Sequence, residues 1–362
     1  MIDHESFSTS PPLVVPMDPD TVAALRAAGD PHIGADGRVP HGSSDDPDVL
    51  DFSANTNPRV PPGARDVFEG SFDATRSYPD DGYPDFRAAA AGFVGCNPEQ
   101  VVPTAGGLEA IRLAIGTSVR AGESVLLPAP SFGEYAREVR LQGGEPTFVD
   151  HDTILDADPA GHAVAVVCNP NNPTGECYDA DALRAFADRC RASGTTLLVD
   201  EAFLGFTDRP SLAGREDVVV ARSLTKLFGL PGIRMGYAVG TGDALDRLTT
   251  ARRAWSMSAA AAAVGTHCYG ADEFVAETQA RVDRERERMR ERLATRFDVF
   301  PSDAPFLCFD TGDRGVEALL ATAREAGIAL RDARTFRRLD NHVRVAVRLP
   351  GENDRLLATL DV

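Results

Sequence analysis

The stretch "RSLTKLFGLPGIRMGY", residues 222–237, carries Lys226, the one lysine in a chain of 362 residues. Every other member of its 37 lysine and arginine residues is an arginine. Arginine matches lysine in charge, but it keeps its proton near neutral pH and forms no stable imine. A lysine with a lowered pKa does form one, which is the basis of Schiff-base catalysis. Lys226 is therefore a candidate covalent residue. The run before it, "DVVVAR" (217–222), suits a strand buried on both faces. Lys226 then falls just past the carboxyl end of a strand, where open α/β sheets bind ligands. Ser223 and Arg234 flank it, a hydroxyl and a guanidinium able to donate charge-assisted hydrogen bonds to a phosphate.

Further apolar runs read as strands at 124–128 ("SVLLP"), 163–168 ("AVAVVC"), 195–200 ("TTLLVD") and 236–240 ("GYAVG"). Helical patterns fall between them. "GGLEAIRLAI" puts Leu108, Ile111 and Ile115 on one stripe, and "DADALRAFADRCRASG" (179–194) ends on a capping glycine. Alternation of this kind predicts an α/β fold with a parallel sheet. Residues 1–46, rich in Pro, Gly, Asp and Ser, read as an extended arm with one short helix at "PDTVAALRAAG" (19–29). The expected large domain spans 47–245. After it comes a long charged helix at 272–297, with Val275, Val282, Met289 and Leu293 on one side, then short strands at "PFLCFD" and "HVRVAVR". Residues 246–362 are thus expected to form a smaller α+β domain.

The formal net charge is −18. Nucleic acid and anionic membrane attract basic surfaces, so this balance disfavours both as partners. An acidic chain nearly without lysine suits the solvated surface of a salt-adapted, halophile-like cytoplasmic protein. The N-terminus lacks a basic start followed by an apolar core, so no signal peptide is expected. The six cysteines form no CxxC pair and the histidines no HExxH, which predicts no metal site and buried, reduced thiols.

With three other segments in order, "SLTKLFGLPGIRMGY" resembles the cofactor-lysine motif of fold-type I pyridoxal-phosphate enzymes, the class I/II aminotransferase superfamily. The segments are "TAGGLEAI" (104–111), "CNPNNPTGE" (168–176) and "VDEAFLGF" (199–206). The resemblance implies a large domain with a mostly parallel seven-stranded sheet between helices, and pyridoxal 5'-phosphate as cofactor. It implies that Lys226 forms the Schiff base and that Asp200 pairs with the pyridine nitrogen, which makes the ring an electron sink. Gly106, Gly107 and Leu108, at a loop-to-helix junction, would cradle the phosphate with Ser223 and Arg234. Asn172 would bond the ring oxygen, and Phe132 in "PAPSFGEY" would stack on the ring. Tyr78 in "SYPDDGYPDFR" would reach the cofactor phosphate of a neighbouring subunit, which implies a homodimer with shared active sites.

Phe203 stands where many transaminases of the family have a tyrosine. "RVPHGSSDDPDVLDFSANTNPRVPPG" (38–63) is similar to the start of threonine-phosphate decarboxylases, which make the aminopropanol phosphate linker of cobalamin. Histidinol-phosphate aminotransferases are near relatives of that group. On either resemblance Arg344 holds the substrate carboxylate, with Arg331 near the same end and Asn57 and His41 at the substrate's phosphate. The same residues serve decarboxylation and transamination, and sub-ångström seating of the substrate decides between them. Both readings stay open at this stage.

Overall fold

The structure is a computed structural model that describes Met17, residues 19–27 and residues 30–362. The stretch expected to lack a signal peptide lies largely outside the described residues. A short helix, Pro19–Ala27, stands where the arm was expected to hold one.

Strand β1 (Leu50–Asp51) precedes the main sheet, whose seven strands are β2 (Val101–Thr104), β3 (Ser124–Ala129), β4 (Glu145–Asp150), β5 (His162–Cys168), β6 (Thr196–Asp200), β7 (Val218–Ser223) and β8 (Gly236–Val239). Their spatial order is β2-β8-β7-β6-β5-β3-β4. Alternate side chains of one strand feed two separate cores. Val164 and Val166 pack with Ile111, Ile115 and Val139 on one face of the sheet, while Ala165 and Val167 pack with Phe86, Leu183 and Phe186 on the other. Burial on both faces explains why these strands read as unbroken apolar runs.

The strands from β3 to β7 pair in parallel. The sheet is mostly parallel, as expected, and its exception is β8, which runs antiparallel to both β7 and β2. The link 224–235 holds only the short helix Leu224–Leu227 and a single turn at Pro231–Ile233, and it folds back on itself. The chain therefore turns back at the carboxyl end of β7, and that turn holds Lys226 and Arg234.

The C-terminal part contributes β9 (Asp298–Val299), β10 (Phe306–Asp310), β11 (Ile328–Ala329), β12 (Arg331–Asp332) and β13 (His342–Ala346). Four of them form an antiparallel sheet in the order β12-β13-β10-β9, and β11 pairs with β1. The helix Asp272–Leu293 turns Val282, Met289 and Leu293 inward as its stripe predicts. Leu50 and Asp51 pair with Ile328 and Ala329, so the chain just after the N-terminal arm sits against the C-terminal elements.

Four of the six cysteines are buried, and all six are free; Cys96 and Cys177 are only partly buried, unlike the expectation for the whole set. Among the described residues no helix is long and apolar enough to cross a membrane.

Candidate active site

The carboxyl ends of β5, β6 and β7 stop side by side, at Cys168, Asp200 and Ser223. Above them lies a cavity of about 530 Å³, within the range of small-molecule sites. Its wall includes Lys226, Asp200, Asn172, Phe132, Ser223 and Arg234, together with Gly107, Leu108, His41, Arg331 and Arg344. Segments hundreds of residues apart in sequence thus converge on one space.

Lys226 lies on the short helix Leu224–Leu227, directly after β7. Burial pushes its amine down from 10.5 to about 8, helped by the nearby Arg344 and Arg234 charges and opposed by Asp200. An amine in this range yields a useful unprotonated fraction near neutral pH. Asp200 is buried at the end of β6. Its Oδ2 accepts from the Tyr135 hydroxyl at 2.6 Å and its Oδ1 from the Ala202 N–H at 3.0 Å. Burial raises its carboxyl pKa, while these two donors and the charges of Lys226 and Arg222 pull it back.

A tight cradle closes one end of the cavity. Gly106 has φ 93°, open to glycine but strained for other residues, and it starts the helix Gly107–Gly116. A Cβ on Gly106 would stand 2.6 Å from Arg234 Nη2, and one on Gly107 3.0 Å from the Ser223 Cβ. A Cβ on Gly236 would stand 2.4 Å from the Gly106 backbone. Backbone N–H groups at a helix start, the Ser223 and Thr225 hydroxyls and the Arg234 guanidinium suit a phosphate. The two hydroxyls lie 2.9 Å apart.

The other end carries Arg331 and Arg344, which face each other across the β12–β13 register. Arg331 donates to the Pro40 carbonyl at 2.6 Å and to Thr335 at 2.8 Å. Arg344 donates to Asn172 Oδ1 at 2.5 Å and to the Ser53 carbonyl at 3.0 Å. Both guanidiniums lie over the Phe336 ring, at 5.2 and 5.6 Å. Their partners here are neutral, and burial with the neighbouring Arg331 charge lowers the Arg344 pKa. Arg344 Nε is buried with no hydrogen-bond partner among the described residues. Two buried cations with neutral partners and an orphaned donor suit an anion.

His41 also reaches the cavity wall, and its Nε2 lies 3.0 Å from Glu134 Oε1. Phe132 stands between His41 and Tyr135. Phe203 lines the wall and meets Phe306 edge to face at 5.0 Å.

One expected residue is elsewhere. Asn57 was expected at the substrate's phosphate, but its buried side chain is used up structurally. Its amide donates to the Leu227 carbonyl and to Thr278, and its Oδ1 accepts from Arg281. Tyr78, expected at a neighbouring subunit's cofactor, is 78% exposed and stacks on Trp255 at 4.3 Å. Tyr135 and Thr225 were not singled out from the sequence. Tyr135 lies one helical turn beyond Phe132, and that spacing was the available signal.

The residues present fit the cofactor that the resemblance implies: an amine able to react with an aldehyde, a buried carboxylate, an aromatic wall and a glycine cradle at a helix start. Comparison with known proteins agrees. The family described as "Aminotransferase class I and II" matches residues 47–360. A histidinol-phosphate aminotransferase of Archaeoglobus fulgidus is 30% identical over 321 residues, covering 86% of this chain and 98% of the relative. A threonine-phosphate decarboxylase of Salmonella typhimurium is 30% identical over 334 residues, covering 86% and 90%. The crystal structure of a histidinol-phosphate aminotransferase from Sinorhizobium meliloti, in complex with pyridoxal-5'-phosphate, matches with a TM-score of 0.74 at 22% identity, over 99% of this chain and 97% of that one.

Proposed function

Because the chain belongs to the aminotransferase class I and II family, we propose that this pyridoxal 5'-phosphate enzyme decarboxylates L-threonine O-3-phosphate to (R)-1-aminopropan-2-ol phosphate. The bound cofactor supplies an aldehyde for Schiff-base formation and a ring that draws electrons from the substrate Cα. Lys226 Nζ provides the reacting amine and, once released, carries a proton to or from Cα. Asp200 holds the ring nitrogen protonated. Gly106, Gly107, Leu108, Ser223 and Arg234 receive the cofactor phosphate, Phe132 covers one face of the ring, and Asn172 reaches its oxygen.

The observation that carries the substrate class is the Arg331–Arg344 pair. Two adjacent guanidiniums with neutral partners suit a substrate with two anionic groups, one carboxylate and one phosphate. Arg344 takes the carboxylate, and Arg331 with His41 takes the phosphate. Decarboxylation is supported by what packs against these arginines. The Pro40 carbonyl accepts from Arg331, and a Cβ on Gly42 would stand 2.6 Å from Arg331 Cδ. The Ser53 carbonyl accepts from Arg344. All three residues belong to 38–63, the segment most similar to decarboxylases. The product would serve cobalamin biosynthesis in the cytoplasm. Transamination of histidinol phosphate is the second reading, supported by the equal 30% identity of the Archaeoglobus relative.

The outward stack of Tyr78 on Trp255 supports a homodimer in which Tyr78 reaches a partner's cofactor phosphate. Phe68 and Phe72 are also exposed, at 50% and 71%, and suit burial between subunits. The reaction is tested by incubating purified protein with threonine phosphate, and separately with histidinol phosphate plus a keto acid. Carbon dioxide release without a keto acid is expected. Amino transfer from histidinol phosphate with no carbon dioxide from threonine phosphate overturns the decarboxylase reading.

A further inference from the structure

Tyr135 lies on the first turn of the helix Glu134–Leu141 and has no exposed surface. It lines no part of the cavity, so it touches neither substrate nor cofactor. Its hydroxyl nevertheless donates to Asp200 Oδ2 at 2.6 Å. The Phe132 ring stands against the Tyr135 ring edge to face, with centroids 5.6 Å apart at 85°. One turn of chain thus supplies the aromatic wall of the cavity and a clamp on the carboxylate behind it.

A buried carboxylate keeps its charge where donors and opposite charges replace lost water, and Asp200 has the charges of Lys226 and Arg222 nearby. Asp200 has two donors among the described residues, the Ala202 N–H and the Tyr135 hydroxyl. The backbone donor is fixed by the turn after β6. Tyr135 is the side-chain donor, and it fills one Asp200 oxygen from the side away from the cavity. Its loss would leave that oxygen bare in an apolar surround, which favours the protonated carboxyl. A protonated Asp200 cannot hold a proton on the ring nitrogen.

We propose that Tyr135 is a positioning residue that keeps Asp200 ionised and aimed at the cofactor's ring nitrogen. The inference rests on the reading of Asp200 as that nitrogen's partner. It connects the hydroxyl to an optical property. A protonated ring nitrogen draws electrons from the bond between Lys226 and the cofactor, and so lowers the pH at which the nitrogen of that bond loses its proton. Weakening Asp200 moves this midpoint up.

The test compares Tyr135→Phe, Asp200→Asn and the unaltered holoenzyme. The pH midpoint of the cofactor's visible absorbance change is measured, with the cofactor dissociation constant, kcat and KM. Loss of a hydrogen bond to a charged group predicts, for Tyr135→Phe, an upward midpoint, a cofactor dissociation constant weaker by about tenfold and a kcat lower by about tenfold, with KM within about twofold. A role confined to packing would lower only the melting temperature of the cofactor-free protein. Midpoint and cofactor affinity unchanged in Tyr135→Phe but shifted in Asp200→Asn overturn the proposal alone. Both unchanged in Asp200→Asn overturn the assignment of Asp200 and the proposal with it. Should Tyr135→Phe fail to fold, 3-fluorotyrosine at position 135 keeps the packing and donates more strongly. It is expected to move the midpoint down, and an unmoved midpoint in that protein overturns the proposal.

Discussion

At the scale of single residues, the chemistry turns on how far the environment has moved Lys226 from ordinary lysine. Only the unprotonated amine reacts with an aldehyde. Burial sets its pKa at about 8 in the cofactor-free protein, against 10.5 for an ordinary lysine. The rate of cofactor capture should therefore climb with pH below about 8 and level off above it. Stopped-flow absorbance between about pH 6 and 10 reads this directly; a rate that keeps climbing beyond pH 10 would contradict the assigned environment. Lys226→Arg should show no Schiff-base absorbance and no turnover. Much of this site was legible in the sequence because each residue type is tied to a job that substitutes do badly. A lone lysine, an aspartate ending a strand and glycines before a helix each announce a chemical demand. Asn57 and Tyr135 show where such reading stops. Asn57 looked like a ligand residue but spends its amide on Leu227 and Thr278, and Tyr135, which drew no reading, clamps Asp200. Both outcomes depend on contacts between residues far apart in the chain, Asn57 with Leu227 and Tyr135 with Asp200.

At the scale of elements, two joints hold the site. The first is the glycine cradle. Gly106→Ala forces an alanine to φ 93° and places a methyl 2.6 Å from Arg234 Nη2. Strain of this kind costs about 1–3 kcal/mol. The variant should fold and lose cofactor affinity by at least about tenfold, measured by equilibrium dialysis against pyridoxal phosphate. Wild-type affinity would show that the cradle is not where the phosphate sits. The second joint is the buried pair of Arg222 and Glu201, 3.5 Å apart, which ties the ends of β6 and β7 behind Asp200 and Ser223. Glu201 also accepts from Ser211 at 2.6 Å and from the Leu212 N–H at 2.9 Å. Glu201→Ala strands a buried guanidinium, and breaking such a pair costs about 3–5 kcal/mol. Urea unfolding of the cofactor-free protein should show an unfolding free energy lower by that amount; a drop under about 1 kcal/mol would mean that water reaches Arg222. The strands buried on both faces were readable from their valine and leucine runs. β4, "EPTFVD", was missed because it is an edge strand with mixed polarity, and β2 because Pro103 breaks its pattern. The reversal of β8 was hidden, since an apolar run such as "GYAVG" looks the same in either direction.

At the scale of the whole molecule, the net charge of −18 is spread over a fold that buries few acids unpaired. Its self-repulsion is screened over about 10 Å at 0.1 M salt and about 3 Å at 1 M. The melting temperature should rise by at least a few degrees on going from about 0.05 to 1 M potassium chloride, measured by differential scanning fluorimetry. A fall over that range would assign the acidic surface to something other than adaptation to salt. The location of Lys226 has a practical side. An amine-directed acylating reagent finds one side-chain target in this chain, and that target faces the cavity rather than bulk water. Cofactor bound through the same nitrogen shields it. Acylation located at Lys226 by peptide mapping, which separates it from the N-terminal amine, therefore counts empty sites, and the protein carries its own occupancy gauge without any engineered tag.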